Sequence, residues 1–480
     1  MLRVVIVGGG VSGLALAYRL EQLVADAEVT LLERRPRPGG TVGTEEHDGF
    51  RVETGPNGFL DNNPATGDLC RDLGLGDRLV PASEAARRNR FLYLDGRLRR
   101  LPSGPFSLLT SNVLSWRAKF ALLTERFRRP RRDAADESVA AFARRRAGDE
   151  VARTLVDAFV SGIHAGDPAL LSVRAALPRL AAFERDHGSV TRGLARAARQ
   201  RRAEARARGE GPRGLRTWSL REGLGTLTDT LAARLRRPPM LGITARRVER
   251  EPAGGWVVAG EGRERWPADV VVLACPAYQQ AALLADLDPD LADRVGGIAY
   301  NRVAVVALGF RRGDVPHPLE GFGYLSPGRE RRDVLGVQWC SSIFPDRAPP
   351  GAVLLRAMCG GWHRAEIVGW DDGRLLGAVR GELRMALGVT AAPVFHRIVR
   401  WERAIPQYHL GHLERVAWIE DRARRHPGLF LGGNCYRGVA LNDCVEQAGL
   451  LAGRVAAWLN ARNPQAPHHP TAGAGGARPS

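Results

Sequence analysis

Lysine is almost absent from this chain: Lys119 is the only one among 70 basic residues, so the formal charge of +18 rests on arginine. Such a bias reflects genome composition, or else attraction to anionic lipid or an acidic substrate. No zinc-finger spacing, RNA-recognition signature or basic zipper accompanies it, which argues against nucleic acid as a partner. Cysteine is also sparse. Cys70, Cys275, Cys340, Cys359, Cys435 and Cys444 form no C-x-x-C pair and mostly lie in apolar runs, as expected for buried free thiols in a reducing compartment. No run of 18 apolar residues exists, so no transmembrane helix is expected. The apolar start is not expected to be a signal peptide, because glycines interrupt it and no basic leader precedes it. H-E-x-x-H and G-x-S-x-G are both missing, which removes support for a metallohydrolase or a serine hydrolase.

What is present begins at residue 2. Leu2 to Val7 reads as a buried parallel strand, followed by Gly8, Gly9, Gly10, Val11, Ser12 and Gly13. Gly8 permits a tight turn, Gly10 lets backbone approach a pyrophosphate, and Gly13 lets the next helix lie close to the sheet. That helix, about Ser12 to Leu23, aims its N-terminal N–H groups at phosphate. Glu28 to Leu32 forms the neighbouring strand. Glu33 follows at its end, twenty residues after Gly13, where a carboxylate can accept a bond from a ribose hydroxyl. Arg34 lies beside it. Arg37, Pro38, Gly39, Gly40 and Thr41 add a second glycine turn and a cation, which shifts the expectation from NAD to a flavin dinucleotide.

At 480 residues the chain is long enough for two or three domains. Residues 112–214 are helical in character, with predicted helices at Leu114–Phe127, Glu137–Ala147 and Thr191–Arg208. Several are amphipathic, with basic residues beside Leu, Phe and Trp116. They fit either a solvated helical subdomain or a basic surface lying on a membrane. Strands are expected at Leu241–Arg250, Gly255–Val258, Ala268–Cys275, Ala304–Phe310, Val334–Trp339, Val353–Met358 and Leu429–Asn434. Ala268–Cys275 should return to the nucleotide sheet. A helix from Asp443 to Leu459 closes the fold, and the Pro/Gly/Ala/His-rich segment 463–480 is expected to be disordered.

Several stretches resemble the oxygen-dependent protoporphyrinogen oxidases of haem synthesis, from Leu2 to about Ala457. They are Glu53-Thr54-Gly55-Pro56-Asn57-Gly58-Phe59, Asn89-Arg90-Phe91-Leu92-Tyr93, Ser161 to Pro168, Gly321 to Leu325, Phe344 to Ala348, Ile405 to Tyr408, and Gly438 to Cys444. The resemblance implies an α/β plus α+β chain in three parts. These are a discontinuous Rossmann-like FAD domain (1–86, 215–290, 415–462), a mixed-sheet substrate domain (87–108, 291–414) and a helical membrane-contacting domain (109–214). It also implies a homodimer, a peripheral position on the cytoplasmic face of the membrane, O2 as acceptor and a contact with ferrochelatase.

The resemblance also carries site residues. Gly8 to Gly13 would hold the diphosphate and Glu33 the ribose. Thr41 and the Gly55-Pro56-Asn57-Gly58 turn would lie against the flavin. Val248 falls where the family bonds adenine through its main chain, although a plain core valine reads equally well. Val439, Ala440 and Leu441 open the closing helix, whose N-terminus can stabilise charge on a reduced flavin. For the substrate, Arg90 would meet a propionate through its planar fork, with Arg87 and Arg88 as further cations or surface charge. Gly162 would turn its carbonyl to the pyrrole nitrogens, and Leu325 and Met358 would sandwich the macrocycle. The chain departs from the family at His164, Gln338 and Met358. His164 reads better as a packed imidazole than as a proton acceptor.

The implied reaction removes six electrons from protoporphyrinogen IX in three hydride-sized steps, and no side chain accepts hydride, hence the flavin. No catalytic base is assigned. Coproporphyrinogen III is the alternative substrate. An amine oxidase would carry a lysine near the flavin, but Lys119 lies in the helical region. A non-catalytic flavin protein or membrane adaptor would lack the cleft residues Arg90, Gly162 and Leu325.

Overall fold

The computed structural model describes residues 2–462 apart from 103, 132, 134, 208–213 and 253; the expected disorder of 463–480 lies outside the described residues. Its central sheet gathers distant parts of the chain. Leu2–Val7 lies between Ala27–Glu33 and Val270–Leu273, with Met240–Leu241 on one edge and Leu429–Leu431 on the other. Every pairing is parallel. Val4, Ile6, Val270 and Val272 enter a core shared with the helices Val11–Leu23 and Leu441–Arg462. Val5, Val7, Val271 and Leu273 enter a second core with Trp256, Val258 and Leu291. Burial on both faces is why these strands read as unbroken apolar runs rather than alternating ones.

The expected strand Leu241–Arg250 is divided. Gly242, at φ +72°, turns the chain, so that Met240–Leu241 pairs with Leu32–Glu33 while Ala245–Arg250 joins a separate antiparallel sheet with Trp256–Gly260 and Arg265–Ala268. The helices Pro289–Gly296 and His412–Ala423 cross the expected boundaries at 290/291 and 414/415. Both bury side chains in the nucleotide core: Leu291 and Val295 from the first, Val416 and Ile419 from the second.

The second large sheet has seven strands, in the order Phe395–Trp401, Val303–Arg311, Ala352–Gly360, Val334–Trp339, Gly323–Leu325, Phe91–Leu94, Arg97–Arg100. It is mixed, because Gly323–Leu325 runs parallel to Phe91–Leu94 and the other neighbours are antiparallel. Tyr324, Val337, Ala357 and Cys359 cover one face and meet Leu375, Val379 and Leu383 of the helix Asp372–Leu387. Side chains two apart share a face, so Leu325, Gln338, Arg356 and Met358 lie on the opposite one, toward the site.

Among the described residues of 105–207, short helices prevail over connecting loops. The expected helix Leu114–Phe127 is shorter: Ser115 caps it, its Oγ accepting from the Ala118 N–H, and it runs from Trp116 to Leu123 before a single tight turn, Glu125–Phe127. A continuous stretch from Asp149 to His164 contains a π-helical turn at Ala152–Val156. Such turns recur near functional sites.

Candidate functional site

The first glycine loop is tied at every step. The Gly8 N–H donates to the Leu32 carbonyl at 2.8 Å, and a Cβ on Gly13 would sit 1.9 Å from the Gly8 oxygen. The second turn folds onto the first: the Gly39 N–H donates to the Gly9 carbonyl at 2.7 Å, and Gly40, at φ +61°, lies against Gly10. A Cβ on Gly10 would meet nothing nearer than the Gly40 Cα at 3.9 Å, so the loop's open side is clear for a ligand. Val11 and Leu441 are buried, and the two helices they open lie side by side in one core. Ser12 hydrogen-bonds the Cys444 thiol, which burial pushes up to about 12. Val439 and Ala440 precede the second helix, and the Ala440 carbonyl accepts its first turn bond from the Cys444 N–H at 3.0 Å.

Glu33 is buried at the strand end. Its oxygens accept from the Gly9 N–H at 2.7 Å and the Arg35 N–H at 2.8 Å. Each carboxylate oxygen keeps a lone pair for a ribose hydroxyl. Arg34 is exposed and faces the Gln279 amide, whose oxygen, turned toward it, accepts at 2.9–3.2 Å. Arg37 braces its own turn: its guanidinium donates to the Pro38 and Val42 carbonyls at 3.2 Å and the Gly40 carbonyl at 3.4 Å. Arg35, which no motif singles out, donates to the Gly40 carbonyl at 3.0 Å and lies 4.8 Å over the Trp401 ring. Val248 is buried in the nucleotide core beside Leu32 and Val7.

The turn Gly55-Pro56-Asn57-Gly58 follows a supported strand end. Thr54 Oγ1 donates to the Thr41 and Gly43 carbonyls, and its own carbonyl accepts from Trp401 Nε1 at 2.8 Å. A Cβ on Gly55 would fall 2.2 Å from the Thr41 oxygen. Asn57 is only 7% exposed, yet neither its amide oxygen nor its nitrogen has a partner. Buried polar atoms are normally bonded, so this amide fits a turn that receives a polar ring edge. Clear glycine loop, acidic residue and orphaned amide together suit a flavin dinucleotide.

Across the cleft the second sheet supplies its open face. A Cβ on Gly162 would meet the Leu325 methyls at 2.9 Å, so only glycine lets this helix come so close to the strand. Asn301 and Gln407 hold the helix end. Asn301 Nδ2 donates to the His164 and Ala165 carbonyls at 2.7 and 2.9 Å, and Gln407 Nε2 to His164 at 3.0 Å. Carbonyls left open at a helix C-terminus are thereby satisfied, and Ala165 takes a left-handed conformation at φ +44°. The Ile405–Tyr408 stretch thus supports the helix that carries Gly162. Met358 is half-buried beside Val305 on the next strand. Gln338 accepts from the Arg356 guanidinium at 2.9 Å, and Arg356 also bonds the Gly55 carbonyl.

Arg90 is exposed and lies 4.7 Å over the Phe322 ring. One side stays open to water, while the surrounding protein desolvates it and lowers its pKa. Its guanidinium has no hydrogen bond or ion pair among the described residues. Arg87 and Arg88 both pair with Glu84 on the surface. His164 is 2% exposed, its Nδ1 has no partner, and burial lowers its pKa to about 4 despite a bond to Ala176. It is a neutral, packed ring.

The profile described as flavin containing amine oxidoreductase matches residues 11–456. The chain belongs to the flavin-containing amine oxidoreductase family. It is an oxidoreductase, and its cofactor is FAD. Protoporphyrinogen oxidase 1, chloroplastic, of Arabidopsis thaliana is 35% identical over 471 residues, which covers 92% of this chain and 86% of the plant protein. The coproporphyrinogen III oxidase of Propionibacterium freudenreichii is 33% identical over 500 residues, or 97% and 92% of the two chains. A crystal structure from Exiguobacterium sp., provisionally assigned as a protoporphyrinogen oxidase, superposes with a TM-score of 0.80 at 27% identity over 95% of this chain and 99% of that one. Arg35, Arg356 and Trp401 carried no local sequence signal; Glu53 and Arg347 lie in stretches that carry the resemblance, but their buried pairing behind the Gly55–Gly58 turn did not show in the sequence.

Proposed function

We propose that the enzyme oxidises protoporphyrinogen IX to protoporphyrin IX, losing six electrons and six protons, with three O2 reduced to three H2O2. The observation that carries the reading is Arg90, a guanidinium that has no acid partner among the described residues and lies beside the sheet face that presents Leu325 and Met358. A charge-assisted, bidentate bond to a propionate is what such a group is fitted for. Leu325 and Met358 offer the flat macrocycle an apolar wall. Gly162, with no side chain of its own, lets backbone come close to the pyrrole nitrogens. Thr41, Asn57 and the Gly55 turn hold the flavin edge, and the start of the helix Leu441–Arg462 favours negative charge there. When bound, FAD supplies hydride acceptance and return of electron pairs to O2. The protein orients the reacting carbon and excludes water; His164, neutral and packed, is given no proton-transfer role.

The coproporphyrinogen III oxidase relative, nearly as similar as the plant one, keeps that substrate as a second reading. An aerobic assay of the purified holoenzyme with both porphyrinogens, following porphyrin fluorescence and peroxide, tests the two. Faster turnover of protoporphyrinogen supports the first reading, preference for coproporphyrinogen replaces it, and inactivity on both rejects porphyrinogen oxidation.

In this reading the enzyme is a homodimer that lies peripherally on the cytoplasmic face of the membrane and contacts a ferrochelatase. Support for the membrane comes from the helical region, where Phe106 is 80%, Trp116 70%, Phe120 68% and Phe127 68% exposed. Trp116, Phe120 and Leu123 recur at helical spacing on one face, with Arg117, Arg126 and Arg129 exposed nearby. Apolar side chains ringed by arginine suit an anionic interface. Among the described residues no helix is long and apolar enough to cross a membrane.

A further inference from the structure

Arg356 is 3% exposed on the cleft face of the mixed sheet. Its guanidinium bonds the main-chain carbonyl of Gly55 on the flavin side and the Gln338 side chain on the substrate side, and its Nε has no partner. Among the described residues no acid is bonded to it. The one carboxylate whose field reaches it among the described residues is Glu53. Glu53 is already paired with Arg347 at 3.3 Å. Behind the Gly55–Gly58 turn, two buried guanidinium groups therefore share a single carboxylate. Burying a charge without its counter-charge is costly, yet this chain holds one against the turn that carries the cofactor edge.

We propose that Arg356 is a positioning residue with an electrostatic role. It clamps the flavin turn to the Gln338 wall, and its uncompensated charge favours the negative charge that FAD gains when it is reduced. The balance is simple. Hydride leaves carbon with its electron pair and converts neutral FAD to anionic FADH−, and the oxidised substrate then releases a proton from nitrogen. FADH−, O2 and one proton return FAD and H2O2. The protein supplies the counter-charge for the anionic form, in a site where low dielectric strengthens it. The inference rests on the flavin site and not on which porphyrinogen is oxidised, so its test needs no substrate.

The test compares the wild-type, Arg356→Met, Arg356→Lys and Gln338→Leu holoenzymes by spectroelectrochemical titration of the flavin and by titration with sulfite, whose flavin adduct is also anionic. Arg356→Met should shift the balance toward oxidised flavin about tenfold or more, a fall of about 30 mV or more for a two-electron couple. Sulfite affinity should fall by a similar factor. Arg356→Lys keeps the charge and should recover most of both losses, and Gln338→Leu should leave the potential near wild type. An unchanged potential and sulfite affinity in Arg356→Met overturn the proposal. Should Arg356→Met fail to retain FAD, Arg356→Gln takes its place: at equal flavin content the lysine variant must hold the higher potential, and equality overturns the assignment.

Discussion

Two buried glutamate–arginine contacts among the described residues, Glu125–Arg146 in the helical region and Glu53–Arg347 behind the Gly55–Gly58 turn, are satisfied very differently; Arg146 also reaches the buried Glu184 at 3.2 Å. Glu125 and Arg146 are each 2% exposed and bonded to one another. Glu125 also accepts from Ser189 Oγ and Thr191 Oγ1, both at 2.6 Å, and from the N–H groups of Val190 at 3.1 Å and Thr191 at 3.0 Å. Those donors open the helix Val190–Ala207, whose positive end adds to the field. Burial pushes the Glu125 carboxyl up, but Ser189, Thr191 and Arg146 together hold it at about 2. Glu53 has less. Besides Arg347 it accepts from Thr44 Oγ1 at 2.8 Å and the Leu224 N–H at 3.0 Å, and burial leaves its pKa above the ordinary value. Arg347 Nε is orphaned as well. The helical pair is saturated and acts as a brace. The pair behind the Gly55–Gly58 turn is short of negative charge, as the proposed role of Arg356 requires.

Removing one partner from each pair should separate them first. Arg347→Met leaves Glu53 with two neutral donors and should cost about 3–5 kcal/mol of unfolding free energy. Arg146→Met leaves Glu125 four donors and should lie at or below the lower end, about 3 kcal/mol. Denaturant titrations of the two variants check this, and equal losses would erase the distinction. Adding Glu53→Gln to Arg347→Met should restore much of the loss.

Arg90 sharpens the contrast from outside, as an arginine with no acid partner among the described residues. Arg90→Ala should leave unfolding nearly unchanged but lower kcat/KM roughly ten- to hundred-fold, the worth of one charge-assisted bond at about 1.5–3 kcal/mol. The loss should appear mainly in KM. An unchanged KM would remove Arg90 from the substrate wall.

The two glutamates should also bend the stability–pH curve in opposite directions. Glu125 has a depressed folded pKa, so its contribution is complete above the ordinary value of 4.5 and is lost as pH falls toward about 2. Glu53 has a raised folded pKa, so the fold holds its proton longer than the unfolded chain does, and stability declines as pH rises from 4.5 through the folded value. Thermal melts across mildly acidic pH should therefore show a shallower acid limb for Glu125→Gln and a gain toward neutral pH for Glu53→Gln. The same slope in both variants would contradict the assignment.

The smallest expected effect lies on the exposed face. Trp116→Ser combined with Phe120→Ser should change stability by no more than about 0.5 kcal/mol per site, as for other exposed positions. Sedimentation with anionic vesicles should nevertheless drop. Undiminished vesicle binding would detach this face from the membrane.

Much of the site was legible because its parts are close together in sequence. Strand, glycines, helix, strand and Glu33 lie within one stretch, and each has a local conformational reason. Arg37 was legible as a cation near that loop, but not as a brace for its own turn, because which carbonyls it reaches depends on how the second glycine turn folds back. Arg356 gave no local signal. It meets Gln338, eighteen positions away, only through the antiparallel register of two strands. The implied boundary at 290/291 falls inside Pro289–Gly296, and nothing in the pattern of that helix says which core will cover Leu291 and Val295.

The sequence by itself determined the elements whose cause is local: the tight turns only glycine can make, the doubly buried strands, the amphipathic helices and the order in which they occur. Tertiary structure alone decided which distant groups share a buried space, and with it the charge of that space. Glu53, Arg347 and Arg356 come from three separate stretches, and the energy of a buried charge depends on its neighbours within a few ångströms rather than on its neighbours in the chain.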